Sequence, residues 1–599
     1  MRLNSSEFLQ RRIQKLSKML TRIKKKLNRL SITRLICFGV FLSLSLTYYL
    51  SRTDNYYYLL PILFSLALFI GLVFYYRKIE YFKLRLVSYE NLLKRETLRA
   101  EFKLDTFYDY DIAINKYDLK NHFHKDLGVS GKNGLFTYLN TTKTVGGEKL
   151  FLENLLRLKL ESLEKILSRQ KLVKEISSKK YLPIKILRIL EEAHLEESSD
   201  KIHLAPLFQY HSKFFETKKI LSLIYKPYII IVWLISIFLF LLDLPSISFS
   251  LFFINTILFI LNRKETSHAL KSFKNIQEEI PALEKLASYL SGSSFQLDIN
   301  FSVVDKVETK KMFRKLDKII TRISIQNAPL IHFTLNMLFL WDLWQLTALA
   351  KWQKEYKEKI KTISENIETI DSILPFVVLK FHNPQYQFPE IDSKFAELSA
   401  VNMGHPLITS SHRVSNPLKK IKTGESLIIT GSNMSGKTTY LRTIGLNVLL
   451  GLCGSPVSAD KMEFPPMEIL SSIKNEDSLE EGISFFYAEV KRIAHILNRT
   501  KEEGKYLILL DELLKGTNTR ERLIASKAIV QKLMKSNSVV FITTHDVDLA
   551  IKTKKQKVAH FTETVKDNRM SFDYKIKDGV IRSTNALRIL AIENLDLDL

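Results

Sequence analysis

Glycine and cysteine are both scarce in this chain of 599 residues, and each shortage excludes a class of fold. Only 19 residues are glycine, and a single one, Gly292, lies between Gly147 and Gly404. So long a stretch with so little glycine argues against an all-β domain with tight turns, and it predicts a mainly helical region. The two cysteines, Cys37 and Cys453, are too few and too far apart to indicate a disulfide framework or a zinc site. Because 11 of the glycines lie at Gly404 or later, the last third is expected to have a different fold.

Acidic residues are also in the minority, with 63 against 89 basic residues and a formal net charge of +26. The positive electrostatic field of a chain with this charge favours anionic partners, either nucleic acid or a phospholipid surface. Residues 1–34 carry 11 basic side chains, and Glu7 is their only acid. Anionic lipid headgroups explain this segment as well as nucleic acid does, so the charge alone leaves both partners open.

The first long apolar run, residues 35–76, is predicted to form a transmembrane helical hairpin. Its only charged residues, Arg52 and Asp54, lie near its middle and leave two arms. At about 17 and 21 residues, each arm is long enough to cross a hydrocarbon core of about 30 Å.

A second apolar run, residues 227–262, contains one charge, Asp243, and is also predicted to cross the membrane twice. Its arms are shorter, about 15 to 17 residues, so a re-entrant or protein-buried hairpin is the alternative. Basic residues flank every arm on the same side, which predicts that residues 77–226 and 263–599 are cytoplasmic. A third apolar segment, residues 331–350, is expected to be a buried helix of the soluble body, since a fifth crossing would place everything after it outside the cell.

A phosphate-binding loop is predicted directly after the short apolar strand Ser426–Thr430. The sequence there has the spacing G-x4-G-K-T and continues into a helical stretch, 440–450. Lys437 is expected to reach the β- and γ-phosphates of ATP, and Thr438 to offer its hydroxyl to Mg²⁺. The predicted nucleotide-binding residues of this loop are Gly431, Ser432, Asn433, Met434, Ser435, Gly436, Lys437, Thr438 and Thr439.

A second apolar strand begins at Tyr506 and ends in two acids, Asp511 and Glu512. The carboxyl end of a buried parallel strand is expected to lie beside the phosphate loop, where ligands bind in open α/β sheets. Asp511 is predicted to hold Mg²⁺ through water, and Glu512 to polarise the water that attacks ATP. His545, after a third strand, would on its own be a structural histidine. Its place at the end of the next core strand favours a role in sensing the γ-phosphate.

The loop GSNMSGKTTYLRTIG resembles that of the MutS ATPases of DNA mismatch repair. Other segments resemble the same family in the same order along the chain. The resemblance implies that Asn416 and Pro417 help to seat the nucleotide. It also implies that Ser484 reaches the γ-phosphate bound by the other subunit, so that a homodimer completes each site. Residues 135–150 resemble the opening of the family's helical core.

The resemblance implies a mixed α and α/β fold, in which a long helical core and lever domain precedes a P-loop NTPase (ABC-type) α/β domain. The family's mismatch-reading domain carries a Phe-x-Glu wedge, and no such triplet occurs in the first 130 residues. The predicted segments are a basic cytoplasmic N-terminus (1–34), a transmembrane hairpin (35–76), a connecting helical segment (77–130), a first part of the MutS-like core (131–226), a second transmembrane hairpin (227–262), lever and core helices (263–391) and the ATPase domain (392–599).

These features predict a multi-pass protein of the inner or plasma membrane with a cytoplasmic ATPase that uses ATP and Mg²⁺. Its expected partners are a second copy of the chain, membrane lipids and double-stranded DNA contacted through its backbone, as in mismatch repair. The alternative is an ATP-driven membrane-remodelling or transport-associated motor with no DNA role. A scaffold that binds nucleotide without turnover is disfavoured, because the residues expected to carry hydrolysis are all present.

Overall fold

A computed structural model gives the fold of most of the chain, in two compact units. The helical unit comprises Met1–Thr97, Lys143–Gly147 and Ile184–Ile370, and the sheet unit comprises Leu98–Thr142, Glu148–Pro183 and Asp371–Leu599. This long helical region followed by a sheet domain confirms the predicted mixed α and α/β class. The structure describes residues 5–51, 59–103, 123–156, 161–179, 181–192, 201–202, 219–274, 280–292, 305–432, 435–473, 485–514, 518–549, 555–566 and 569–580.

Thirteen helices occupy the described residues before the first strand. They are α1 (Ser5–Ser51), α2 (Leu59–Ala100), α3 (Phe123–Asp126), α4 (Leu135–Leu139), α5 (Val145–Leu155), α6 (Leu163–Ser178), α7 (Leu182–Glu192), α8 (Lys219–Leu241), α9 (Pro245–Lys274), α10 (Ile280–Gly292), α11 (Lys306–Ile323), α12 (Pro329–Phe339) and α13 (Trp341–His382). The described residues of the glycine-poor region are therefore mainly helical, as its composition predicts.

The first apolar run lies in α1 and α2, which are 47 and 42 residues long and extend well beyond the predicted arms. The two helices pack as an antiparallel pair. Lys26 Nζ donates to the Tyr75 hydroxyl at 2.9 Å, and the rings of Phe38 and Phe69 lie 5.3 Å apart. The basic N-terminal segment is thus a helical continuation of the hairpin, because no glycine or proline interrupts it before Gly39.

The second apolar run forms α8 and α9, joined by a tight turn at Asp243, whose φ is +58°. The third apolar segment differs from the expected buried helix in two ways. It breaks at Leu340, which has a left-handed conformation, and α12 leaves Leu330 85% exposed. Its other face packs against the hairpin, where Trp233 Nε1 donates to the Leu338 carbonyl at 3.2 Å.

Four helices in the described part of the chain are long and apolar enough to cross a membrane, judged by length and composition. Few side chains in their most apolar windows are buried, from none in the first to 33% in the fourth. Most of the apolar surface of these helices is therefore left uncovered by the described residues. The four segments are Glu7–Leu50, Leu59–Ala100, Ile224–Leu241 and Pro245–Lys264.

Two sheets and a hairpin make up the strands of the sheet unit. The larger sheet has the order β12-β9-β4-β8-β7-β6, in which all neighbours are parallel except β12 and β9. The smaller has the order β1-β5-β2-β3, and β10 pairs with β11. The elements are β1 (Glu390–Ile391), β2 (Glu397–Met403), β3 (Asn416–Lys422), β4 (Ser426–Thr430), α14 (Lys437–Leu452), β5 (Lys461–Phe464), β6 (Glu468–Ser472), α15 (Phe485–Arg499), β7 (Tyr506–Asp511), α16 (Thr519–Met534), β8 (Ser538–Thr543), β9 (Gln556–His560), β10 (Glu563–Lys566), β11 (Arg569–Phe572) and β12 (Lys577–Asp578).

The central strands of the larger sheet are almost wholly buried, as their continuous apolar sequences predict. Ile429 of β4 and Asp511 of β7 both lie in register with Thr543 of β8. The carboxyl ends of these strands therefore form one edge, and the residues that follow them converge there.

Candidate nucleotide site

The loop after β4 turns sharply through two glycines. Gly431 has a φ of +140° and Gly436 a φ of +107°, a region that residues with a side chain rarely adopt. A Cβ built at Gly431 would lie 2.7 Å from the carbonyl oxygen of Phe561. Gly436 is also the N-cap of α14, so the loop leads into the end of the helix at which backbone N–H groups have no partner within the helix.

Lys437, the first residue of α14, is buried with 4% of its side chain exposed. Its Nζ donates to the carbonyl oxygens of Gly431 at 2.7 Å and Ser432 at 2.8 Å, while Ser435 Oγ donates to the Ser432 carbonyl at 2.8 Å. These bonds hold the ammonium inside the loop. A buried cation there, beside the positive end of the helix dipole, is suited to binding a phosphate chain.

Asp511 lies at the end of β7 and faces the first turn of α14. Thr438 Oγ1 donates to its Oδ2 at 2.8 Å, and Thr543 Oγ1 also donates to the carboxylate. The hydroxyl of Thr438 and the carboxylate of Asp511 are oxygen donors of the kind that Mg²⁺ prefers. The residues present therefore fit the metal that the sequence predicts.

Glu512 follows Asp511 and lies between two basic groups. Its Oε1 is 2.6 Å from His545 Nε2 and 3.9 Å from Lys437 Nζ. Its backbone is left-handed, with a φ of +51°, and its N–H donates to the Thr543 carbonyl at 3.0 Å. Non-glycine residues with a left-handed backbone are uncommon and are strained, and they cluster at functional sites. The conformation of Glu512 therefore accords with a functional role.

Asn416 and Pro417 of β3 are expected to help seat the nucleotide, and both form hydrogen bonds with other residues of the protein. Asn416 Nδ2 donates to the Tyr574 carbonyl and its Oδ1 accepts from Ile576 N, both at 2.9 Å. The Pro417 carbonyl accepts from the Tyr440 hydroxyl at 2.8 Å. Asn416 thus holds the chain at Tyr574, whose ring would lie 3.4 Å from a Cβ at Gly436.

Thr439 is exposed in the first turn of α14, and its carbonyl accepts from Thr443 Oγ1 at 2.7 Å. Three other predicted nucleotide-site residues, Asn433, Met434 and Ser484, lie outside the described residues. Their expected roles stay predictions.

His405, in the segment before the loop, is a neutral group. Burial, together with the charges of Arg442 and Arg413, lowers its pKa to about 4. Its Nδ1 accepts from the N–H of Leu407 at 3.2 Å, a bond that needs this nitrogen unprotonated.

Sequence reasoning missed Asp126, a fully buried carboxylate at the end of α3. Its Oδ2 accepts from Ser471 Oγ at 2.7 Å and from the Ile473 N–H at 3.2 Å, and its Oδ1 lies 3.2 Å from Arg492 NH1. Asp126 therefore ties the end of β6 to α15, which begins one residue after Ser484. Its partners lie some 345 residues further along the chain, so no local signal in the sequence could have found them.

A glycine loop between a buried parallel strand and a helix, with carboxylates at the end of another strand of the same sheet, is consistent with P-loop nucleotide-binding domains. The family model for MutS domain V matches residues 427–596, which contain this arrangement.

Three relatives are similar to this chain over 188 to 337 residues. The chain is 29% identical to the MutS protein homolog 4 of Mus musculus over 309 residues, which are 49% of this chain and 31% of that protein. It is 26% identical to the DNA mismatch repair protein MutS of Thermotoga maritima over 337 residues, 54% of this chain and 42% of that protein. It is 34% identical to the Endonuclease MutS2 of Lactococcus lactis subsp. cremoris over 188 residues, 31% of this chain and 24% of that protein. The chain is thus similar to MutS domain V over residues 427–596 and to members of the MutS family, and it spans 24% to 42% of the length of these relatives.

Proposed function

We propose that this protein is a membrane-anchored MutS-type ATPase that binds and hydrolyses Mg²⁺-ATP as a homodimer. The observation that carries the proposal is the cluster at the sheet edge. Lys437 lies inside the loop, the Thr438 hydroxyl contacts Asp511, and Glu512 contacts His545. This cluster has a phosphate-binding cation, oxygen ligands for a metal and a base within one site.

Each residue of the cluster has a distinct task. Lys437 binds the β- and γ-phosphates, for which it exchanges its hydrogen bonds to the loop carbonyls. Glu512 accepts the proton of the attacking water, and His545 orients its carboxylate through the 2.6 Å contact. Bound Mg²⁺, held by Thr438 and by Asp511 through water, would neutralise charge on the phosphate oxygens.

The proposed dimer follows from the family resemblance. Ser484 would complete the site of the partner subunit, so a monomer should bind ATP and hydrolyse it slowly. Asp126 would fix the position of Ser484, because it anchors the helix that begins at the next residue.

Membrane insertion is supported by the four apolar helices and their exposed surface. Leu35 is 72% exposed, Phe64 71% and Leu261 71%. Exposure of so many large apolar side chains to water is unfavourable, whereas contact with lipid would be favourable. We place the protein in the inner or plasma membrane, with the basic N-terminus and the ATPase domain in the cytoplasm.

Duplex DNA, contacted through its backbone, is the proposed macromolecular ligand, because the relatives include proteins named for DNA mismatch repair. A membrane-remodelling or transport-associated motor without a DNA role is the second candidate. The exposed apolar helices favour this second candidate, because helices inserted in a membrane could transmit ATP-driven motion to it.

ATP hydrolysis by the purified full chain, in nanodiscs of a neutral lipid, separates the two functions. The rate should be measured with no DNA, with homoduplex and with mismatched duplex, each over a series of salt concentrations. DNA binding predicts a stimulation that falls steeply with salt, because each neutralised phosphate releases counterions. No stimulation by either duplex at any salt would favour the membrane motor. Extraction of the protein from membranes by alkaline carbonate would contradict the membrane anchor.

A further inference from the structure

A cavity in the helical unit is lined by an excess of basic side chains. It has a volume of about 540 Å³ and lies where α2, α7, α10 and α11 meet. Two acids, Glu192 and Glu284, also line it, which leaves a formal charge of 6 − 2 = +4 on the walls. The six cations of this basic pocket are Arg85, Lys185, Arg188, Lys285, Lys306 and Lys310.

One carboxylate, that of Glu192, contacts three of the cations. Glu192 Oε1 accepts from Arg188 Nε at 2.9 Å, while its Oε2 accepts from Lys285 Nζ at 3.1 Å and from Arg85. Burial would raise the pKa of Glu192, but its hydrogen bonds and charge contacts with Lys285 and Arg85 outweigh burial and lower that pKa. The carboxylate is therefore ionised, and its oxygens are fully used by these cations.

The other cations are less well neutralised. Lys185 Nζ lies 3.9 Å from the centre of the Tyr289 ring, which supplies no charge. Within the described residues, neither Lys306 nor Lys310 has a carboxylate in ion-pair distance. The nearby acid of the same helix turn, Glu308, pairs with Lys359.

The position of Lys306 adds to the excess of positive potential. It is the first residue of α11, where the positive end of the helix dipole disfavours a cation, and the carboxylates of the N-cap Asp305 and of Glu308 offset only part of this potential. Lys310 lies one turn further along the same helix face. Cavities lined by one sign of charge concentrate the field and attract counterions.

We propose that the basic pocket binds a phosphate group of net negative charge, carried either by a small soluble molecule or by an anionic lipid headgroup, and that it does not bind the zwitterionic headgroup of phosphatidylcholine. Ammonium and guanidinium groups are the usual ligands of phosphate oxygens in proteins. The pocket also lies close to the proposed membrane. Arg85 follows Lys78, which ends the apolar stretch of α2, by seven residues, or about 10 Å along the helix. Only the lipid source depends on the membrane anchor proposed above, and neither source depends on the nucleotide site.

Lysine footprinting of the full chain tests the proposal. It measures the reactivity of individual lysines of the pocket, so phosphate that binds in the nucleotide loop does not affect the readout. The protein is placed in phosphatidylcholine nanodiscs, and acetylation of Lys306 and Lys310 is followed by mass spectrometry. One arm adds inorganic pyrophosphate, and the other replaces part of the lipid with phosphatidylglycerol. Protection in the first arm indicates a soluble ligand, and protection in the second a headgroup. Equal reactivity in all samples would overturn the proposal.

Three variants test whether the protection arises from binding in the basic pocket. Lys310→Ala should weaken protection of Lys306 roughly tenfold in ligand concentration, whereas Lys318→Ala, an exposed lysine of the same helix outside the pocket, should leave it unchanged. Glu192→Gln should strengthen protection by a similar factor, because it releases three cations. If Lys310→Ala and Lys318→Ala behaved alike, the pocket would not be the binding site.

Discussion

Replacement of Glu512 by glutamine should separate ATP binding from ATP hydrolysis. Glutamine keeps the volume of the side chain and its ability to contact His545, but it removes the charge and the basicity. Loss of a general base typically lowers turnover by about 10² to 10⁴-fold. We expect kcat to fall within that range.

ATP binding should survive the same substitution, for an electrostatic reason. Glu512 Oε1 lies 3.9 Å from Lys437 Nζ. At an effective dielectric constant of about 20, opposite unit charges at this separation attract by about 4 kcal/mol, an upper limit here because the Glu512 side chain is 20% exposed. The glutamine variant releases the ammonium from this attraction, so its affinity for ATP should be equal or higher.

The assay pairs steady-state ATP hydrolysis with equilibrium binding of a fluorescent ATP analogue by the full chain. Glu503→Gln, an exposed residue on the loop before β7, is the matched control and should leave both quantities unchanged. Turnover close to that of the unmodified protein, or weaker nucleotide binding with normal kcat, would refute the role of Glu512 as the base.

Two further predictions concern stability. Asp126→Asn should lower the free energy of unfolding by about 3 kcal/mol, because it leaves the partly buried Arg492 without its counter-charge, and thermal unfolding would measure this. An unchanged melting temperature would contradict the anchoring role of Asp126. For His405, the folded pKa of about 4 lies below its ordinary value of 6.5, so the unfolded chain binds more protons between these values. Its contribution to stability should be complete above pH 6.5 and fall by up to about 3 kcal/mol as the pH drops to 4, whereas urea unfolding of His405→Gln should lack this part of the pH dependence.

The sequence predicted well those features whose determinants are local. The loop from Gly431 to Thr438 combines strand, turn and helix signals within a few residues, and the strand before it and the helix that begins at Lys437 are both present. The apolar runs predicted helices because continuous hydrophobicity of this length is typical of helices that can cross a membrane. The continuation of α1 through the basic N-terminal segment was missed, although the absence of glycine and proline from that segment was a usable signal.

Features that depend on tertiary contacts were not predictable. The break at Leu340 has no proline or glycine to mark it. It is fixed by Asn336, whose carbonyl accepts from the Leu340 N–H at 2.9 Å and whose Oδ1 accepts from the Asp342 N–H at 3.0 Å. Asn416 is expected to help seat the nucleotide because of a resemblance, but the contacts of its amide with Tyr574 and Ile576 could not be read from the sequence. Long-range partners of this kind leave no periodicity or spacing in the sequence.

The central claim, a site completed across a homodimer, is tested most directly by mixing two inactive variants. Lys437→Ala lacks the phosphate-binding cation, and Ser484→Ala lacks the residue proposed to act in the partner's site. A mixed dimer would contain one intact site, with Lys437 from one subunit and Ser484 from the other. Equal mixing should therefore restore ATP hydrolysis to about a quarter of the unmodified rate, since half of the dimers are mixed and each has one working site of two. A mixture no more active than the average of the two variants alone would contradict the account.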